Sequence, residues 1–372
     1  MTPQYSSWAS APRLIALANG VRLVGVVGFE VDNNSFYQAD SFRLTLCLSA
    51  QPPSSNWTYW ASQIDIEVEL LVGFPSSETF DKADLTSLLI GNVDDIAIDP
   101  IADQVVMSGR DLTSRFIDNK TAEKYKDQTA SQIATLLAFR RQLVPVVTAT
   151  TVKAGTYYDY DNVGDADDRP EWDLLTYLAQ VSNFVVYVKG RELHFEPKPD
   201  PTKTPPYVLR WEAGNGGNAS PRFNATTLAM NRNLTVAKDI IVTVRSWNVK
   251  QNRMFVKTAN RSRVKSGTKA ASKSYLPPQK YVFTITNKTA EETQQYANQM
   301  LAEISQHEMN INAQIPGDPA LNPRVVIKLE GTGTAFDQLY YPASVLHQID
   351  VSEGYRTTVR AKNTSPESTV VP

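Results

Sequence analysis

Only one cysteine, Cys47, stands in 372 residues. No intrachain disulfide can form, so a small secreted scaffold stapled by bridges is excluded and stability has to come from packing. Histidine is nearly as scarce. His194, His307 and His347 are far apart, and with neither a His-x-x-His nor a Cys-x-x-Cys arrangement the chain offers no structural zinc set. Packing inside strands accounts for His194 and His347, and a place near the carbonyl end of a helix accounts for His307. The net charge is also small, −2 from 37 Lys and Arg against 39 Asp and Glu, which argues against bulk electrostatic capture of DNA or of an anionic membrane. No apolar run approaches the roughly 20 residues of a membrane-spanning helix, so no stable membrane insertion is expected. The first ten residues are polar, with no basic region leading into an apolar stretch, which predicts a chain folded in a cytoplasm. Triplets such as Asn56-Trp57-Thr58 then read as chance and not as glycosylation sites.

Catalytic signatures are missing too. There is no Gly-x-Ser-x-Gly element, and Cys47 reads as a small semi-buried residue on a strand. Gly214-Asn215-Gly216-Gly217-Asn218 is glycine-rich but lies between strands with no helix after it, so it lacks the helix N-terminus that cradles a phosphate. No cofactor is expected.

What the chain does have is length and period-two patterning. At this length several cores of about 100 residues each are needed. Phe42, Leu44, Leu46 and Leu48 alternate with Ser41, Arg43, Thr45 and Cys47, as a half-buried strand requires. Ile64, Ile66, Val68 and Leu70 alternate with Asp65, Glu67 and Glu69, and Pro- and Ser-rich turns separate the runs. With Ile90 to Asp95 and Gln104 to Met107 added, residues 1–108 predict an antiparallel barrel or sandwich.

From Gly109 the period changes. Thr129 and Gln132 form a capping box for a helix through Ile133, Leu136, Leu137 and Arg140 that ends before Pro145. A second helix begins near Pro170 and buries Trp172, Leu175, Leu178 and Ala179. Phe184 to Lys189 and Leu193 to Pro197 follow as a hairpin around Gly190-Arg191. Residues 109–200 are thus an α+β insertion. Strands return from Tyr207 onward, and a helix capped by Thr289 and Glu292 occupies 289–308 with Tyr296, Met300 and Ile304 on one face. The expected second barrel spans 201–249 and 279–364 with that helix on its side, leaving 250–278 as a basic flexible loop or small subdomain and 365–372 as a tail.

Four groups of residues invite a functional reading. Asp159 to Asp168 is acidic enough for calcium, yet Val163 stands where an oxygen donor is needed and the far glutamate is missing, so a solvated loop is the better reading. Glu171 and Asp173 are the first candidates for a hydrolytic carboxylate pair, but on the first turn of a helix both are accounted for by the helix dipole. Trp57, Tyr59 and Trp60 could stack on sugar rings, against core or intersubunit packing as the structural role. No acidic residue appears between Asp239 and Glu291, while Arg261, Arg263 and Lys265 lie among many other cations, making a docking loop for an acidic neighbour or nucleic acid, or else a solvated arm.

The ordered passage from Ser108-Gly109-Arg110-Asp111-Leu112 through Glu171-Trp172-Asp173-Leu174-Leu175 to Val185–Val188 and Glu192-Leu193-His194-Phe195 resembles the hub proteins of phage tail baseplates. Ala39-Asp40-Ser41-Phe42-Arg43-Leu44 and Trp60-Ala61-Ser62-Gln63-Ile64 are similar to the N-terminal barrel of late control protein D relatives. His307-Glu308-Met309, Pro316-Gly317-Asp318-Pro319 and Gly331-Thr332-Gly333-Thr334-Ala335-Phe336-Asp337 are similar to the C-terminal region of Mu-like phage hubs. The family is similar also to the hub region of the type VI secretion tip protein.

The resemblance implies a mainly β chain with two tail-tube-like antiparallel barrels and a smaller α+β domain. It implies a non-enzymatic homotrimer whose ring of six barrels joins a tail tube or distal tail protein to a central spike or fibre among other baseplate proteins, with DNA passing through the lumen at ejection. Its place would be the virion tail, after assembly in the host cytoplasm. A carbohydrate- or receptor-binding tail module and a peptidoglycan hydrolase are the alternatives.

Overall fold

The computed structural model describes residues 11–363 apart from 122, 124, 126, 152–168, 200–202, 204, 213–221, 235–239, 250 and 262–277. The first half consists of β1 (Arg13–Ala18), β2 (Val21–Arg22), β3 (Val26–Asn34), β4 (Ser41–Cys47), helix α1 (Trp57–Ser62), β5 (Glu67–Gly73), β6 (Thr86–Asp99) and β7 (Gln104–Asp111). The strands run in the order β3-β4-β7-β6-β5-β1-β2, antiparallel throughout. The alternation seen in the sequence sets the faces, since Phe42, Leu44 and Leu46 point into a core with Val31, Val68, Leu70, Val105 and Met107. Each such burial contributes about 1.5–3 kcal/mol.

The strand read as beginning at Ile64 begins at Glu67, and Ile64 is fully exposed while Ile66 is buried. The reason is α1. Asn56 caps it through the Tyr59 N–H, and Gln63 closes it by donating to the Trp60 carbonyl, so the chain is still leaving a helix at Ile64.

The insertion contains α2 (Ser114–Ile117), β8 (Lys120–Thr121), α3 (Ala130–Arg140), β9 (Val144–Val147), β10 (Arg169–Pro170), α4 (Glu171–Val181), β11 (Phe184–Lys189) and β12 (Glu192–Pro197). Thr129 and Gln132 make the capping box of α3 with both reciprocal bonds present. β12 lies between an antiparallel β11 and a parallel β9, and α3 and α4 cover this sheet through Ile133, Leu137, Trp172, Leu175 and Leu178. Gly190 turns the β11–β12 hairpin at φ 56°, a conformation costly for residues bearing Cβ.

The second half begins with β13 (Tyr207–Glu212), β14 (Arg222–Phe223) and β15 (Thr227–Arg232). β16 (Ile240–Asn248), β17 (Arg253–Arg261), β18 (Gln279–Thr286) and α5 (Ala290–Ser305) come next. β19 (Met309–Pro316), β20 (Ile327–Glu330), β21 (Leu339–Asp350) and β22 (Gly354–Asn363) complete it. A core of Leu209, Ile311, Ala313, Ile315, Ile327, Leu329, Tyr340, Val345 and Val359 lies under β13, β19, β20, β21 and β22.

Two sequence expectations need correcting. β16, β18 and α5, assigned to the second barrel, form a separate unit in which the sheet β17-β16-β18 carries α5 on one face over Ile240, Val242, Val244, Ala259 and Ala297. One apolar face on β16 and the stripe of Ala297, Tyr296, Met300 and Ile304 on α5 satisfy each other locally. The stretch 250–278, read as a basic flexible loop or small subdomain, is not a loop throughout, because it includes β17, which pairs with β16 from Asn248↔Arg253 to Ile240↔Arg261. A short turn at Asn252, φ 45°, makes that hairpin possible in a segment whose own periodicity is weak.

β21 joins the halves. Leu339 and Tyr340 pair with β20, and after an irregularity at Pro342, which has no N–H to give, Ser344 to Asp350 pair with β3. One continuous sheet of 14 strands therefore runs through both halves.

Candidate functional site

Buried polar and charged groups meet at the junction of the first half, the insertion and the second half. Asp40, just before β4, is buried and accepts bonds from Asn33 Nδ2 at 2.8 Å and from the Asn34 N–H at 2.6 Å. Asp111, at the end of β7, is buried too and accepts from Thr113 Oγ1 at 2.9 Å, while its N–H donates to the Asp40 carbonyl. Burial pushes the Asp40 carboxyl up to about 6, against the opposing pull of Arg324 and of the two bonds it accepts. Asp111 is raised well above the usual carboxylate range by burial and by the neighbouring Asp40.

The nearby cation comes from the second half. Arg324 lies with its guanidinium carbon 4.2 Å from the centre of the Tyr187 ring and donates to the Val188 carbonyl at 3.3 Å, both on β11. The insertion is held to the first half by similar means: Tyr37 donates to the Phe184 carbonyl, Trp172 Nε1 donates to the Tyr37 carbonyl, and Arg115 and Arg191 both reach Glu67. In the sequence Asp40, Asp111 and Tyr187 stand in separate motifs, and nothing in their spacing shows that they meet; Arg324 carries no signal of its own.

Of the residues singled out for chemistry, Glu171 is fully buried and bidentate to Arg141, at 2.7 and 2.8 Å, with Arg140 at 3.4 Å. It ties α4 to the end of α3. Asp173 is exposed on α4 with no part in that pair. His347 is buried, its Nδ1 2.8 Å from the Tyr355 hydroxyl and its Nε2 3.1 Å from the Leu321 carbonyl. Both nitrogens are thereby satisfied in the neutral ring, and burial pushes its pKa down to about 4. His194 stacks on Tyr187 and is lowered by burial, as is His307. Asp159 to Asp168, Gly214 to Asn218, Arg263 and Lys265 lie outside the described residues, and Arg261 is described only as the last backbone position of β17. Among the described residues no group of three or more His, Cys, Asp or Glu could hold a metal ion, and no helix is long and apolar enough to cross a membrane.

The three aromatics near α1 separate. Trp60 is 2% exposed and sits in the first core with the ring of Tyr59 edge-on to it, whereas Trp57 is 54% exposed and lines a shallow depression of about 250 Å³ with Leu48, Asn56 and Pro100. An apolar residue at every third or fourth place of a two-turn helix does not reveal which one faces inward.

The sequence motifs have structural roles. A Cβ on Gly109 would lie 2.1 Å from the Asn92 carbonyl oxygen, one on Gly317 would lie 2.0 Å from the Tyr355 ring, and one on Gly331 would lie 2.0 Å from the Trp211 carbonyl oxygen. Arg110 forks between Asp94 and Asp118, and Asp337 closes its own loop by accepting from Thr332 and the Gly333 N–H.

A profile described as the Alg8 N-terminal domain matches residues 82–351, well over half of the chain. The chain belongs to that family. The matched segment starts just ahead of β6 and ends in the β21–β22 turn, so its bounds run through both strand-rich halves. No curated protein matches by sequence. Among solved structures, the tail protein from Neisseria meningitidis MC58 is similar with a TM-score of 0.68 at 13% identity, over 95% of this chain and 97% of that one. The 43 kDa tail protein of prophage MuSo2 from Shewanella oneidensis gives 0.62 at 14% identity, over 96% and 99%. The E. coli c3393 protein, a component of the type VI secretion system with structural similarity to the T4 tail proteins gp27 and gp5, gives 0.51 at 11% identity, over 94% and 77%. The fold is that of phage tail proteins.

Proposed function

We propose that this chain is a non-enzymatic structural protein of a phage tail, the hub of a baseplate. What carries the reading is a likeness of fold that runs over nearly the whole of this chain and of the two tail proteins. In it, residues 1–108 and the strands on the second core act as two tube-like barrels, with the α+β insertion 109–200 outside them. Three copies make a homotrimeric ring of six barrels. Such a ring matches a six-fold tail tube or distal tail protein on one face and a three-fold spike or fibre on the other. It sits among other baseplate proteins of the virion tail, is assembled in the host cytoplasm, and lets DNA pass through its lumen at ejection during entry.

The continuity of the sheet through β21 supports this role, because a part that bridges two symmetries has to hold its two barrels at a fixed angle. Solution mass of the purified chain and end-on imaging of labelled particles test the reading. Three copies at the tail tip are expected, and a monomer absent from the tail overturns it. Exposed Trp57 beside its depression favours a second reading, a carbohydrate- or receptor-binding tail module. Silence on a glycan array removes that reading. A peptidoglycan hydrolase is the enzymatic alternative, and clearing of cell walls on a zymogram would favour it.

A further inference from the structure

The small net charge conceals two segments of opposite sign. From residue 44 to 109 the chain has ten acidic residues, Asp65 and Asp95 among them, and a single cation, Lys82. From 240 to 290 it has eleven Lys and Arg and no acid. No ion pair links the two segments among the described residues. Each carries exposed apolar side chains of the kind that interfaces bury.

On the basic side the outer face of the sheet β17-β16-β18, opposite α5, is covered by none of the described residues. Trp247 stands across from Met254, Arg245 from Val256, Thr243 from Val282 and Ile241 from Lys280, and Trp247, Met254, Val256 and Val282 are all about half exposed. This is an apolar strip flanked by Arg245 and Lys280. Trp247, Met254, Val256 and Val282, half exposed together on one face, are side chains of the kind an interface buries. On the acidic side, Trp57, Tyr59, Ile64 and Ile101 are exposed around α1 and the end of β6. The Val93 N–H bonds to the Ile66 carbonyl, which puts Asp65 and Asp95 at the same end of that ladder, both exposed.

From this complementarity we infer that the outer face of β17-β16-β18 in one copy seats on the acidic surface around α1 and β6 in a second copy. The contact joins two different surfaces, so each copy offers both and the arrangement propagates head to tail until a ring closes. It rests on the ring of the proposed function and names the faces that build it. Opposite charge steers and registers the encounter, and the buried apolar strip and tryptophans supply the affinity.

Charge-swap variants of the full chain test this by sedimentation at two salt concentrations. Arg245→Glu with Lys280→Glu, and separately Asp65→Lys with Asp95→Lys, are each expected to weaken self-association about a hundredfold, because like charges then face one another. Combining all four substitutions in one chain, so that every contact again meets opposite charge, is expected to restore the oligomer. Circular dichroism and unfolding midpoints matching the wild type show that each variant is folded. An oligomer whose mass neither reversal changes overturns this interface while leaving the hub reading intact. A wild type that remains monomeric, or one that is retained on DNA through Arg245 and Lys280 without self-association, also overturns it, and the position of labelled chain on particles judges the hub reading independently.

Discussion

The guanidinium of Arg324 rests on the face of the Tyr187 ring at 4.2 Å, joining a loop of the second half to a strand of the insertion. Asp40 and Asp111 of the first half feel the same charge, so one side chain addresses three parts of the chain. Arg324→Met keeps most of the volume and removes the charge. It is expected to destabilise the fold by about 1–3 kcal/mol, the order of a partly desolvated cation–π contact together with a hydrogen bond from a charged donor. Urea unfolding followed by limited proteolysis checks this, with the first cleavages expected at the boundary of the insertion.

Glu171→Gln separates structure from catalysis. The substitution leaves Arg141 without its fork partner and should cost about 2–3 kcal/mol, read from the denaturant midpoint. Zymography on cell walls is expected to show no clearing by either the wild type or the variant. Clearing by the wild type that is lost in Glu171→Gln would support the hydrolase reading instead.

His347 predicts an acid limb of stability. Its folded pKa of about 4 lies below the ordinary value of 6.5, so the folded ring stays neutral while the unfolded one takes a proton, and stability is lost as pH falls from about 6.5 towards 4. A tenfold difference in proton affinity between the two states corresponds to about 1.4 kcal/mol, so the full limb is worth roughly 3 kcal/mol, and His347→Gln should flatten it. Asp40 runs the other way. Its folded pKa of about 6 lies above the unfolded value, so the folded state holds the extra proton and its contribution is lost as pH rises from about 4 to 6. Unfolding midpoints measured across that range in the wild type and His347→Gln separate the two.

Gly317→Ala should cost about 1–3 kcal/mol, because its methyl group meets the Tyr355 ring at 2.0 Å and that ring supplies the hydroxyl bonded to His347. Thermal unfolding checks the loss. A flatter acid limb in the variant would show that the displaced ring also releases the imidazole.

Trp60→Ala and Trp57→Ala should differ sharply. The first empties a buried site, costing about 3–5 kcal/mol, and the second lies at the surface, within about 0.5 kcal/mol of the wild type. Paired denaturation curves give the comparison.

What could be read from residues alone was local. Thr129 with Gln132 and Thr289 with Glu292 announce their helices because a capping box is closed within four residues. The alternation of Phe42, Leu44 and Leu46 shows its face because burial on a strand repeats every second residue. Partnership was not legible. β17 has weak periodicity of its own and exists because β16 pairs with it, and β16 and β18 look like barrel strands until α5 is seen covering them. The same holds at the junction, where Asp40, Asp111, Tyr187 and Arg324 are brought together only by tertiary structure. Fold likeness to tail proteins followed from the order of motifs over three hundred residues, which no single motif carried.

The pairing of β21 with β3 also constrains how the chain is made. Ser344 has to find Asn34, so the edge of β3 stays open until about 310 further residues have left the ribosome. During synthesis the first half therefore exposes β3 as an uncapped edge strand that carries Phe29 and Val31, an invitation to pair with another nascent chain. Productive folding is a race between the arrival of residues 344–350 and that intermolecular pairing, and slowing translation between β7 and β21 should raise the aggregated fraction.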